Sequence, residues 1–201
     1  MLMNTIFFSL FFIVFAADST DPPTVQDAGF NEAIFDVETI QDLLGRSNSD
    51  GIRFYNTLQD GKVGVMAVSI SNGADLNSGF FPRKPYVLAK GVDTDGVIVD
   101  KISESEARDL CESVHNSPHM QYSADFSQSD FSTLLSIDNA NAVRLQPSKT
   151  AEGGLSMKLE AVNLERGQVS ELGQGSRYVV TSTLPCPPIC GQRENYVFRP
   201  L

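Results

Sequence analysis

Histidine is scarce in this chain: His115 and His119 are the two in 201 residues, so no His-based nucleophilic triad can be assembled away from them. Cysteine is scarce too, and three thiols leave one over in any pairing. Basic residues are outnumbered, 15 against 25 acidic, for a formal charge of -10, and no Lys/Arg cluster interrupts that balance. A nucleic-acid partner needs clustered cations to neutralise phosphate, so that class is disfavoured. Long apolar runs are also missing. The longest, Ile6 to Phe15, covers ten residues, against roughly 20 for a spanning helix. No cysteine follows it closely, which excludes a lipid anchor on an N-terminal cysteine.

What is present points to an exported globular protein. At 41% hydrophobic and 20% charged with 15 glycines, the chain can build one ordinary core or two small fused ones and is not of disordered composition. The short Phe-rich run, followed by Ala16 and Ala17 and then by polar residues and Pro22-Pro23, reads as a signal peptide. It is read over 1–16 and expected to be cleaved between Ala16 and Asp21, with an uncleaved membrane anchor as the alternative. A linker over 17–29 follows. The expected location is the periplasm or the medium, and the acidity is that of a soluble exported protein.

One pattern occurs twice. The first copy is Ile40-Gln41-Asp42-Leu43-Leu44, Gly51-Ile52-Arg53-Phe54, Asp60-Gly61-Lys62 and Ala67-Val68-Ser69-Ile70. The second is Phe131-Ser132-Thr133-Leu134-Leu135, Ala142-Val143-Arg144-Leu145, Glu152-Gly153-Gly154 and Ala161-Val162-Asn163-Leu164. Leu44 stands as far from Ile52 as Leu135 from Val143, which predicts an internal repeat of a helix and a hairpin. The expected fold class is therefore α+β, with two related units of helix plus antiparallel β-hairpin over 30–120 and 121–201, the second carrying a Cys-rich tail.

Periodicity fills in the elements. Apolar residues at three- and four-residue steps predict a helix over Phe30–Leu44, stopped by Gly45, and a short one over Phe126–Ile137. Ser103-Glu104-Ser105-Glu106 is a capping box that opens a helix carrying Ala107, Leu110, Cys111 and Val114 on one face and ending before Pro118. Strands are expected at 51–57, 62–71, 86–92 and 97–99, then at 142–146, 155–164 and 176–184, with an edge strand at 196–198. Asp60-Gly61, Asn72-Gly73, Asp95-Gly96, Arg166-Gly167 and Gly173-Gln174-Gly175 supply turns.

Four groups of residues are candidates for chemistry. Cys186 and Cys190 bracket Pro187-Pro188-Ile189 and suit a disulfide in an oxidising compartment, leaving Cys111 reduced on the buried face of its helix. Cys111, His115 and His119 recur at helical spacing, as zinc ligands could, although Pro118 interrupts the helix that would align them. Asp93 and Asp95, with Gly96, mimic the middle of a calcium loop. Gly91 and Ile102 stand where its end carboxylates belong, so an Asp-rich hairpin turn is the better reading. Arg53 and Arg144 occupy matching repeat positions, where an arginine on a half-exposed sheet face snorkels or meets an acid. Phe80, Phe81 and Tyr86, near a Pro-rich loop, are candidate exposed aromatics for a partner.

In Gly51-Ile52-Arg53-Phe54-Tyr55, the apolar strand after Gly61 and the Cys-Pro-Pro-Ile-Cys tail, the chain resembles small uncharacterised bacterial proteins with a helix, a G-I-R-aromatic-Tyr strand and a proline-flanked cysteine tail. The resemblance implies a bacterial exported protein and no activity. No catalytic residue is assigned, and no cofactor is expected. The favoured function is a non-catalytic binding or interaction module with a protein or small-molecule partner, not integral to a membrane. The rival is an extracytoplasmic hydrolase or metal-dependent enzyme using acidic residues with His115 and His119.

Overall fold

The computed structural model describes residues 32–59, 62–76, 84–93, 96–115, 123–149, 155–172, 179–182 and 184–186. The signal and linker segments, Phe80, Phe81, Asp95, His119, Cys190 and the edge strand expected at 196–198 lie outside them. In chain order the elements are β1 (Ala33–Asp36), α1 (Val37–Leu44), β2 (Gly51–Gln59), β3 (Lys62–Ser71), β4 (Ala74–Asp75), β5 (Tyr86–Asp93), β6 (Gly96–Ile102), α2 (Glu104–His115), β7 (Ser123–Ser127), α3 (Gln128–Leu135), β8 (Ala142–Lys149), β9 (Leu155–Glu165), β10 (Gln168–Glu171), β11 (Val179–Thr181) and β12 (Leu184–Cys186). The class is α+β, with three short helices and two antiparallel sheets among the described residues.

The two predicted helices that begin with aromatic residues are each a strand followed by a helix. Ala33–Asp36 and Ser123–Ser127 are extended, and helix starts only after Asp36 and Ser127. Both caps have extended backbone, and their side chains accept from Thr39 N and Asp130 N. Asp and Ser at these points stop the helix from running backwards, because their oxygens satisfy donors that a preceding turn would otherwise serve. The apolar spacing misleads because Ala33 and Phe35 face the same core as Ile40 and Leu43 through strand alternation instead of helical periodicity. Gly45 caps α1 in right-handed geometry (φ -74°); the left-handed residue is Asn48, as Asn139 is after α3, both at φ 65°. The capping box of α2 forms as expected: Glu106 N donates to Ser103 Oγ, and Ser103 N donates to Glu106 Oε2.

Each sheet draws strands from both halves of the chain. The small sheet runs β1-β8-β9-β10, with β11 also on β9; the large one runs β12-β7-β2-β3-β5-β6, with β4 on β3. β1 therefore pairs with β8, setting Phe35 opposite Val143, while β7 pairs with β2, setting Phe126 opposite Ile52. Val37 N at the start of α1 donates to Asn141 O, and Gln128 N at the start of α3 donates to Asp50 O. Gly51 is required by this crossing, since a Cβ there would stand 2.3 Å from Phe126 O.

One core lies between the sheets, built on Phe35, Ile40, Phe54, Phe126, Phe131, Leu145 and Leu159 with their neighbours. Phe54 is its hub, with ring centroids 5.2 Å from Phe35, 5.8 Å from Phe126 and 6.4 Å from Phe131. Such pairs add about 0.5–1.5 kcal/mol each beyond burial. A second core forms on the outer face of the large sheet, where Ala107, Cys111 and Val114 of α2 cover Tyr55, Met66, Val68, Tyr86 and Leu88.

The strand expected over 176–184 is two strands in two sheets. β11 pairs with β9 and β12 with β7. Buried Ser182 stands between them; its N donates to Met157 O at 2.9 Å and its Oγ to Asp125 O at 2.9 Å. Backbone polar groups at such a crossing must be paired, and a serine supplies the extra donor.

Candidate functional site

The densest polar constellation centres on Arg53. Ile52 and Phe54 point into the central core, so alternation turns Arg53 and Tyr55 to the opposite face, beneath the β3–β4 turn and α2. β7 lies beside β2 with Asp125 directly opposite Arg53. Arg53 Nε donates to Asp125 Oδ1 at 2.7 Å and Nη2 to Asp125 Oδ2 at 2.8 Å, a bidentate fork. Nη1 donates to Asp75 Oδ1 at 2.7 Å, and Nη2 also donates to the Gly73 carbonyl at 2.8 Å. Tyr55 donates its hydroxyl to Asp75 Oδ2 at 2.6 Å, and its ring lies under the guanidinium carbon at 6.0 Å.

The turn that delivers Gly73 and Asp75 is written locally. Asn72 and Gly73 take φ 51° and 74°, the left-handed pair of a tight hairpin. Asn72 N donates to Asp50 Oδ2 at 2.6 Å, and β4 then pairs Ile70 with Asp75.

Arg53 is wholly buried, contrary to the half-exposed position expected for it. Burial alone would push its guanidinium pKa down, yet the Asp125 hydrogen bonds and the charges of Asp75 and Asp125 push it up, so it stays charged. Tyr55 is pushed well up by burial and then by the Asp75 charge, and its phenol stays protonated. Chemically, the cluster is a clamp. Both carboxylates are engaged by the guanidinium, which ties β2, β7 and the β3–β4 turn together.

Arg144 is the third residue of β8 in the small sheet, as Arg53 is of β2 in the large one, and stands opposite Ile34 of β1 and Glu160 of β9. It bonds Glu160, reaches Glu171 at 3.1 Å and has Glu32 at 3.8 Å. Its guanidinium, lowered by burial, is raised on balance by Glu160 and Glu171. The apolar group beside it, Ile34, Ala142 and Val162 with half-buried Leu164 and Val169, contains strand residues alone. The two arginines share none of these acids.

The remaining candidates are dispersed. Tyr86 is fully buried under α2, not exposed, because β5 turns it to the face that α2 covers; burial and then the Asp75 and Glu104 charges push its phenol up. Cys111 is a free, buried thiol that donates to Asn56 O at 3.6 Å, pushed up by burial and then by Asp75. His115 ends α2, Asp93 ends β5 opposite Gly96 of β6, and Cys186 ends β12 opposite Ser123; their side chains fall outside the described ones. Among the described residues no group of three or more His, Cys, Asp or Glu side chains could hold a metal, and no helix is long and apolar enough to cross a membrane.

Sequence reasoning missed Asp75, Asp125 and Tyr55 as parts of one cluster. A signal for Asp125 exists: it interrupts Ala124 and Phe126 with strand alternation immediately before a Ser cap. Comparison with protein-family models, with curated proteins and with solved structures returns no match to this chain.

Proposed function

We propose that the chain is an exported, non-catalytic binding module built from two copies of one strand–helix–hairpin unit, with the outer face of the small sheet as its binding surface. The observation that carries this reading is the difference between the two outer faces. On the large sheet, α2 and the β3–β4 turn seal the face. On the small sheet, Leu164, Val169 and Val179 stay half-buried around Arg144, Lys158 and Glu160. Such a mixed apolar and charged surface suits a partner, and loops or faces carried on a rigid sheet are where recognition resides.

Duplication is supported by equivalences at one constant interval in the chain: Asp36 and Ser127 as caps, Asn48 and Asn139 at φ 65°, Arg53 and Arg144 in register. The loops repeat the same hydrogen bonds, Asp50 N to Ile70 O and Asn141 N to Val162 O. By that register Ile70 corresponds to Val162, two positions before the Leu164 that the sequence match suggests; an even slide keeps every side chain on its face. Export is supported by the Ile6 to Phe15 run and the small residues after it. A disulfide between Cys186 and Cys190 belongs to the same proposal, on their spacing and compartment.

The non-catalytic reading is supported by the state of the reactive groups. Cys111 is a buried, protonated thiol, Tyr55 is held protonated, and Asp75 and Asp125 are bound to Arg53. A photo-crosslinking residue at Val179, introduced in the producing cell, should form a discrete adduct, while one at Arg108 on α2 should not. Equal adducts at both sites, or metal-dependent turnover by the purified protein, would overturn the reading.

A further inference from the structure

We propose that Asn72-Gly73 is a site of spontaneous deamidation, and that the isoaspartyl product disconnects the Arg53 clamp. The chain has a single Asn-Gly step, and it lies in an exposed tight turn. The space where a Cβ of Gly73 would stand is open, with nothing beyond its chain neighbours within 4 Å, so the turn is not packed against on that side. The strand after the turn, Ala74–Asp75, has two register pairs, Ile70 with Asp75 and Ser71 with Ala74, and Asp75 is held further by Arg53 and Tyr55. The exposed turn ahead of it can open locally without unfolding of the molecule.

From the opened turn, the Gly73 amide nitrogen attacks Cγ of Asn72. The new N–Cγ bond closes a five-membered succinimide, the Cγ–NH2 bond breaks, and the Gly73 amide proton leaves with the nitrogen as ammonia. Water then opens the ring at either carbonyl. Opening at the Asn72 main-chain carbonyl leaves an isoaspartyl link, whose backbone runs through the β-carbon and is longer by one methylene. That extra length falls between Asn72 N, fixed by Asp50, and the two groups that grip Arg53, the Gly73 carbonyl and the Asp75 carboxylate. A new carboxylate also appears beside Asp50. The matching turn Arg166-Gly167 has nearly the same backbone, φ 50° and 76°, yet arginine has no side-chain carbonyl to cyclise. Asn48 and Asn139 precede Ser49 and Ala140, whose Cβ atoms hinder the attack.

The test is ageing of the full chain at neutral pH, followed by peptide mapping with an isoaspartyl-specific methyltransferase and by urea denaturation of the separated aged fraction. The account expects the peptide containing position 72 to carry most of the isoaspartyl signal, ahead of those with Asn48 and Asn139, and the aged fraction to unfold at a lower urea midpoint. Asn72→Gln should stay unmodified. Asn72→Asp, with a normal backbone, should keep a midpoint near wild type, which separates the added methylene from the added charge. Persistence of Asn72 while other asparagines convert would overturn the site. An isoaspartyl fraction with an unchanged midpoint, or an Asn72→Asp midpoint as low as that of the aged fraction, would overturn the backbone coupling to Arg53.

Discussion

Arg53 and Arg144 are each the third residue of a strand, β2 and β8, and each stands opposite a strand from the other half of the chain, yet they live in different media. Arg53 sits with 1% of its side chain exposed against two equally enclosed or nearly enclosed carboxylates, at 1% and 7%. Arg144 keeps 13%, as does Glu160 against it, and its other acids are open, Glu171 at 61% and Glu32 at 42%. The described residues over the two positions differ: α2 and the β3–β4 turn lie over Arg53, and among the described residues the apolar group beside Arg144 holds no helix residue. An ion pair gains weight from enclosure because removal of one partner then strands a charge away from water. In the open it is screened and worth little.

The largest effect should come from breaking the clamp at its fork. Asp125→Ala should cost about 3–5 kcal/mol, because it leaves buried Arg53 without its bidentate partner. The counterpart, Glu160→Ala, should cost under about 1 kcal/mol, since Arg144 keeps other acids and water. Urea midpoints of the two variants read the difference.

A second prediction sharpens the account of the clamp's outer end. Tyr55→Phe removes the hydroxyl that satisfies Asp75 Oδ2 and should cost about 1–3 kcal/mol, the range for a buried polar group left without its partner. The same residue sets an alkaline limit. Burial and Asp75 raise the Tyr55 pKa, and burial raises that of Cys111. The unfolded chain loses those protons first, near pH 8.5 to 10 on ordinary values, roughly, so the folded form binds more protons there. Stability is therefore complete below that range and falls as pH rises through it. Tyr55→Phe and Cys111→Ala should each flatten the fall, as thermal melts across pH 7 to 11, about the range that spans both groups, would record.

The smallest effects test likeness in place of difference. Asp36→Ala and Ser127→Ala each remove an N-cap at matching positions and should each cost about 1 kcal/mol. Two similar values fit one local unit used twice. A silent variant beside a severe one would break the equivalence.

Legibility in the sequence followed the range of the forces. The hairpins around Asn72-Gly73 and Arg166-Gly167, and the α2 capping box, are local chemistry and stand where turn and cap residues put them. The strand β1 was hidden, because Ile34, Phe35, Val37, Ile40, Leu43 and Leu44 recur at three- and four-residue steps while Ala33 and Phe35 reach the core by strand alternation. Asp36 and Ser127 were the local marks of the break, and Asp125 before Ser127 the mark of a strand. The clamp was illegible for a different reason. Asp75 and Asp125 reach Arg53 through tertiary pairing across the chain, and no spacing rule joins three residues on β2, β4 and β7. The split at Ser182 was likewise a property of two sheets meeting.

The most direct test of the comparison is a pair of urea denaturation curves, for Arg53→Met and Arg144→Met. Methionine keeps the aliphatic stem and removes the charge at both sites. The account predicts a loss of about 3–5 kcal/mol for Arg53→Met, from two stranded carboxylates, and under about 1 kcal/mol for Arg144→Met. Equal losses, or a larger one at Arg144, would contradict it.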